Sequence, residues 1–342
     1  MQPSSLLKSA FLLSMLSQGA LSASIHAGGV NLTMTYPDYG VPPLRPEWNK
    51  YLGTFKADHT PDIIQCLRSG EWGQTFDDGP GAPTNQLLDY LQQQNITVTF
   101  FIIGANAVAA PNTVKRAFDL GHQIAIHTWS HPHIPTLTEA GIVAELLWTA
   151  QVLTDIIGVT PVYMRPPYGE IDAKSRNVIR GLGFIPVIWS NDSSDWDDTV
   201  SVESVKSEVD RWASDTSRPP AIGLEHDLND REAQLARYII PKLMSGGYKL
   251  KPVAECLDDP LPYRRGLDPT AERVGRSAAI APSSSSALPS TTSAAASISA
   301  SGTTMPTATP AAQGVRVSSS TRTQVGLSLA FLVAGLAFLA QF

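Results

Sequence analysis

Charge is scarce in this chain. Of its 342 residues only 16% are Asp, Glu, Lys or Arg, against about a quarter in an ordinary globular domain. The formal net charge is −6 and no basic stripe is present, which excludes a general nucleic-acid binder. The deficit is local. Glu272 is the last acidic residue, and beyond it the chain is mostly Ser, Thr, Ala and Pro, broken by Arg273, Arg276, Arg316 and Arg322. Cysteine is equally sparse, with only Cys66 and Cys256. Neither has a partner at metal-ligand spacing, so a cysteine metal site is disfavoured. Apolar residues are not lacking: they make up 43% of the chain, which excludes disorder throughout.

The ends read as processing segments. Residues 1–23 combine Lys8, a short apolar run at Ala10–Leu16 and small residues at Ala20, Ser22 and Ala23, the pattern of a secretory signal. That run is well short of the roughly twenty residues a membrane span needs. At the far end, small residues up to Ser320, a polar spacer (Thr321–Gln324) and an apolar tail at residues 325–342 match the signal for a GPI anchor, which removes the tail. The competing reading, a single span, would have no Lys or Arg beyond it to hold a cytoplasmic end. The expected location is therefore the outer face of the plasma membrane or the cell wall, with the lipid as the sole membrane contact.

Residues 277–324 form a Ser/Thr/Pro-rich stalk, which lacks the apolar surface to offset its ordering entropy. In a secreted chain an even cysteine count predicts a Cys66–Cys256 disulfide. Sequons at Asn31, Asn95 and Asn191 are candidate N-glycosylation sites.

After an N-terminal extension (residues 24–59), residues 60–261 alternate short β-type runs with helical patterns. The strand candidates are Gly73–Phe76, Val98–Ile103, Gln123–Ile126, Val162–Met164, Phe184–Trp189, Ala221–Leu224 and Tyr248–Leu250. Between them, Asn85–Gln94, Asn112–Leu120, Thr138–Ile157, Ala173–Gly181, Val202–Ala213 and Arg231–Ser245 have helical spacing. In Thr138–Ile157, residues Leu146, Leu147, Ala150, Leu153, Thr154 and Ile157 share one side, which predicts an amphipathic helix. Strand–helix alternation predicts an α/β fold of parallel strands with outer helices. Seven units suit a distorted, incomplete β/α barrel; an open doubly wound sheet has the same periodicity.

Polar clusters follow the strands: Thr75-Phe76-Asp77-Asp78-Gly79-Pro80, His127-Thr128-Trp129-Ser130-His131, Arg165-Pro166-Pro167-Tyr168-Gly169, Asp192-Ser193-Ser194-Asp195-Trp196 and Leu224-Glu225-His226-Asp227. Each has a plain alternative: a turn at Asp78-Gly79-Pro80, an incidental histidine pair, a surface arginine, a helix cap, a satisfied core histidine. Together they all fall at the C-terminal ends of strands, where such folds place their sites. Adjacent carboxylates in an extended segment point opposite ways, so Asp77 and Asp78 can serve different partners. Two His and one Asp give a catalytic zinc three protein ligands and leave a position for water.

These five segments in this order resemble the polysaccharide deacetylases of carbohydrate esterase family 4, the NodB-homology domain, and most of all its chitin deacetylases. The likeness spans roughly residues 70–255. Thr-Phe-Asp-Asp-Gly-Pro and His-Thr-x-x-His together are highly specific; Arg-Pro-Pro-Tyr and Asp-x-x-Asp-Trp support them. The resemblance implies a distorted β/α barrel and metal-dependent removal of N-acetyl groups from a β-linked sugar polymer. Asp78, His127 and His131 are expected to hold Zn²⁺, with cobalt or manganese as substitutes. Asp77 is the expected general base, oriented and kept ionised by Arg165. His226 is the expected general acid, kept protonated by Asp195. Trp196 and Leu224 are expected to wall the acetyl pocket, the Tyr168 N–H to support an oxyanion, and Trp129 and Tyr168 to offer sugar rings an apolar face. For Trp129, plain packing is an equal reading. The expected substrate is chitin or its oligomers, handled by a monomer. The alternatives are partly deacetylated chitosan or acetylxylan, or a non-catalytic wall protein that binds carbohydrate.

Overall fold

The computed structural model describes residues 29–32 and 34–279, so the leader, the apolar tail and all but the first three residues of the stalk lie outside the described residues. The first extended segment is divided at Gln74 into β1 (Glu71–Gly73) and β2 (Thr75–Asp77), both fully buried. After it come α1 (Thr84–Gln93), β3 (Thr99–Ile102), α2 (Gly104–Ala109), α3 (Pro111–Asp119), β4 (Gln123–Ile126) and α4 (Glu139–Ile157). Next are β5 (Thr160–Pro161), β6 (Tyr163–Met164), α5 (Ala173–Gly181), β7 (Ile185–Pro186), β8 (Asn191–Asp192), α6 (Val202–Ser214) and β9 (Ala221–Leu224). The last elements are α7 (Asp230–Ser245), β10 (Lys249–Lys251), α8 (Val253–Cys256), β11 (Tyr263–Arg264) and β12 (Arg273–Val274).

Two parallel sheets run β2-β3-β4-β6-β7 and β10-β1-β9-β8. The extended segments 71–77 and 185–192 each contribute to both sheets, so the strands wrap into a distorted β/α barrel of seven strand segments. The ring is incomplete: Ile63 pairs with Val187 beside β7, and only further along does β8 meet β9. A small antiparallel sheet of β5, β11 and β12 lies outside the parallel set. The seven expected strands and six expected helices are all present, most within one or two residues of their expected bounds, and α2 and α8 are additional.

The barrel interior is filled by Phe101, Ala125, Tyr163, Val187 and Ile222 around a Cys66–Cys256 disulfide. Gly73 is closely packed there: a Cβ on it would lie 3.0 Å from Ile222 and 3.4 Å from the Cys256 sulfur. The bridge spans a sequence separation of 190 residues. The Cys66→Ser/Cys256→Ser double variant is therefore expected to lose about 2–5 kcal/mol of stability. Denaturant unfolding measures this, and an unchanged midpoint would count against a stabilising bridge.

Helix α4 departs from the amphipathic expectation. It starts at an N-cap, Thr138, whose hydroxyl accepts from Gly141 N–H, and stops at left-handed Gly158. Its inner side packs on the sheets, but its outer side is buried as well. The segment that precedes the barrel covers it: Trp48 meets Trp148 edge-on at 5.3 Å, and the Trp148 indole donates to the Pro43 carbonyl at 2.8 Å. One-sided periodicity could not register that second layer.

Candidate active site

The C-terminal ends of β2, β4, β6, β8 and β9 converge, and each hands its next residues to one cavity of about 370 Å³. Asp77, Asp78, His127, His131, Tyr168, Trp189, Trp196, Leu224 and His226 line it. Asp78, Thr128, His131, Tyr168 and Ser194 all have positive φ. Such non-glycine conformations cost of order 1–3 kcal/mol each and persist where surrounding structure imposes them.

The two imidazoles meet one carboxylate. His127 Nε2 lies 3.2 Å and His131 Nε2 3.3 Å from Asp78 Oδ1, and one ligand atom from each residue falls within 4.8 Å of the others. Asp78 Oδ1 is buried and accepts no hydrogen bond. His127 Nδ1 faces the Arg165 carbonyl at 2.8 Å. A proton on Nδ1 satisfies that contact and leaves the Nε2 lone pair for the site. Burial, with His127 nearby, pushes the His131 imidazole down to about 4, so it is neutral at pH 7. Burial alone would raise the Asp78 carboxyl, but the imidazoles facing it hold it well below the usual carboxylate range. A buried carboxylate oxygen and two imidazole nitrogens converging beside it are the donor set of a divalent cation.

Asp77 lines the same cavity, its Oδ2 3.9 Å from His127 Nε2. It is fully buried and receives Arg165 Nη1 at 2.8 Å on Oδ1. Arg165 also donates to Thr75 Oγ1 and to the Val187 and Ile188 carbonyls, with its guanidinium 4.3 Å over the Phe101 ring. Such a fixed fork orients its partner. The expected Asp77–Arg165 pair is present, but burial outweighs the guanidinium and the Asp77 carboxyl is raised.

Across the cavity, Asp195 grips His226 twice: Oδ1 lies 2.8 Å from Nδ1, and Oδ2 accepts the backbone N–H at 2.8 Å. Burial would lower this imidazole, but the Asp195 hydrogen bond and charge prevail and raise it to about 10. A raised histidine contributes stability that is complete below its ordinary value near 6.5 and is lost as pH climbs through about 10.

Tyr168 and Trp196 are exposed at the rim, and Leu224 is buried in the wall. Trp129 is a correction. It is fully buried, stacks on Tyr36 and donates its indole N–H to the Asp38 carbonyl, so it packs the core and offers no sugar face. Asn95 is exposed, Asn191 is half-buried in β8 with its amide oxygen accepting from Ser190 Oγ at 2.9 Å, and the Asn31 sequon is only partly described.

Two positioning carboxylates were not anticipated. Glu145 of α4 is fully buried, and it accepts from the Trp129 and Ser130 N–H groups and the Ser130 hydroxyl. It thus fastens the loop that carries both histidines, and an acid flanked by apolar residues in mid-helix was the available signal. Asp227 lies under the Asp78 turn, bonded to Thr84 Oγ1. Its Oδ1 would be 2.2 Å from a Cβ on Gly79, so only glycine fits there.

The polysaccharide deacetylase profile matches residues 65–187. Chitin deacetylase 1 of Cryptococcus neoformans var. grubii is 39% identical over 214 residues, covering 57% of this chain and 46% of the relative. The chitin deacetylase of Amylomyces rouxii is 38% identical over 214 residues, covering 60% and 51%. The chain therefore spans about half the length of the curated relatives it matches. Among solved structures, the chitin deacetylase of Colletotrichum lindemuthianum superposes with a TM-score of 0.57 at 30% identity, covering 60% of this chain and 96% of that one. A peptidoglycan N-acetylglucosamine deacetylase, Bc1960, gives 0.53 at 30% identity, covering 58% and 92%. This chain belongs to the polysaccharide deacetylase family. Within that family, the curated relatives it resembles here are fungal chitin deacetylases.

Proposed function

We propose that this chain is a metal-dependent deacetylase that removes N-acetyl groups from N-acetylglucosamine units of chitin, leaving free amines and acetate. The observation that carries the reading is the Asp78–His127–His131 cluster, set between a buried Asp77–Arg165 pair and a buried Asp195–His226 pair. A binding module would need neither pair.

Asp78, His127 and His131 hold the ion, taken to be zinc, which when bound supplies a Lewis acid and lowers the pKa of water. Asp77 takes a proton from the attacking water, whose oxygen forms the new bond to the acetyl carbon. The Tyr168 N–H stabilises the oxyanion that develops. His226 Nε2 gives its proton to the nitrogen as the C–N bond breaks, so the amine leaves neutral. Asp195 occupies Nδ1 and so fixes which nitrogen faces the substrate. Leu224 and Trp196 enclose the methyl group, and the polymer runs past the exposed Tyr168.

These roles need Asp77 deprotonated and His226 protonated together, so activity against pH is bell-shaped. The acid limb lies above the ordinary carboxylate value because Asp77 is raised, and the alkaline limb reaches towards about 10 because His226 is raised. Asp195→Asn removes the hydrogen bond and charge that raise the imidazole most and leaves burial opposed only by Asp77 and Asp78. The alkaline limb of kcat/KM therefore moves down by about one pH unit. A pH–rate profile checks this, and an unmoved limb would remove His226 as the titrating acid.

The leader and tail in the sequence support secretion and a GPI-held position at the cell surface. Acetate release from N-acetylglucosamine oligomers, peptidoglycan and acetylxylan, each with and without chelator, tests the whole reading. Release from the oligomers that stops with chelator and returns with zinc is expected. Preference for peptidoglycan or acetylxylan would reassign the substrate, and acetate release unaffected by chelator would discard the metal.

A further inference from the structure

The cavity accounts for one sugar ring, yet the surface beside it is prepared for more. Among the described residues, the aromatic side chains that stand well out into solvent are Tyr39 at 65% exposure, Tyr168 at 54% and Trp196 at 54%. Tyr168 and Trp196 border the cavity. Tyr39 belongs to the segment that precedes the family-matched residues 65–187.

Its position is fixed from below. The carbonyl of the preceding residue, Asp38, accepts the Trp129 indole N–H at 3.0 Å. Tyr36 stacks on Trp129 and bonds Asp155 of α4 through its hydroxyl. Trp129 itself lies in the His127–His131 loop, so the residue before Tyr39 is tied through that indole to the loop that presents both imidazoles. It is near enough that partial burial, then the Asp78 carboxylate and the Tyr168 phenol, raise its hydroxyl above the ordinary tyrosine value. Tyr168 is braced in turn by His133, stacked on it at 4.1 Å. Pyranose rings present apolar C–H faces to such braced aromatic surfaces, while their hydroxyls remain in water.

We infer that Tyr39 forms a second sugar subsite, where its ring receives a pyranose neighbouring the N-acetylglucosamine unit whose acetamide enters the cavity. This inference rests on the deacetylase reading above, and it gives the enzyme a preference for chains long enough to reach both places. The subsite is supplied by the N-terminal extension and not by any of the five catalytic segments.

The test is kcat/KM for acetate release from N-acetylglucosamine oligomers, dimer to hexamer, with the wild-type chain, Tyr39→Ala and Tyr39→Trp. In Tyr39→Ala the hexamer-to-dimer ratio is expected to fall about three- to tenfold, mainly through KM, the size of one aromatic contact. Tyr39→Trp is expected to restore it. A ratio unchanged in Tyr39→Ala, or an equal loss at every length, overturns the subsite and leaves the deacetylase reading standing. A wild-type chain that releases no acetate from any oligomer overturns that reading and the subsite with it.

Discussion

Asp77→Asn is expected to lose on the order of 10²–10⁴ in turnover, the usual contribution of a positioned general base, while still binding metal stoichiometrically. The reason lies in the different partners of the two neighbouring carboxylates. Asn keeps the volume of the carboxylate and an oxygen for Arg165 Nη1, so the guanidinium is not left unpaired in the barrel interior. It cannot accept a proton. Asp78 keeps both imidazole contacts. Metal content and acetate release measured on the same preparation separate the two carboxylates. Near-normal turnover would show that another group is the base, and parallel loss of metal would show that Asp77 is itself a ligand.

His131→Ala is expected to abolish turnover by the other route. It leaves two protein ligands, so bound zinc should be lost by more than the roughly 10–100-fold that follows from disturbing a supporting group. His133→Ala is the control. His133 is exposed, faces Glu170 at 2.9 Å and makes no contact with Asp78, so that variant keeps its zinc. Metal titration of the two proteins, with acetate release on readdition of zinc, decides the matter. A His131→Ala chain that holds stoichiometric zinc would end the three-ligand assignment.

Much of this architecture was legible because strand ends announce themselves. Seven apolar runs, each ending in polar residues, fixed the sheet direction and hence the end at which the chemistry collects. The residues that gather at the cavity could be read because the expected chemistry demands particular side chains: two imidazoles four apart, paired carboxylates, an arginine before two prolines. What could not be read was support. Glu145 and Asp227 act through backbone N–H groups and a threonine hydroxyl, contacts made across the fold by residues with no local pattern. Trp129 was ambiguous because an indole beside two histidines suits a sugar platform as well as a core, and only burial by Tyr36 and Asp38 separates them. The raised Asp77 was missed because the guanidinium can be seen in the sequence and the desolvation cannot.

Helix α4 is apolar enough along its 19 residues to pass for a membrane crossing by length and composition. Its setting explains why: one flank lies on the sheets, the other beneath the polypeptide that enters ahead of the barrel, and Glu145 projects from its inner flank to hold the imidazole loop. The rod is thereby clasped between an outer sleeve and the reaction centre. Residues 36–48, which carry no hydrolytic chemistry, thus rest on the same helix whose Glu145 holds the loop of His127 and His131.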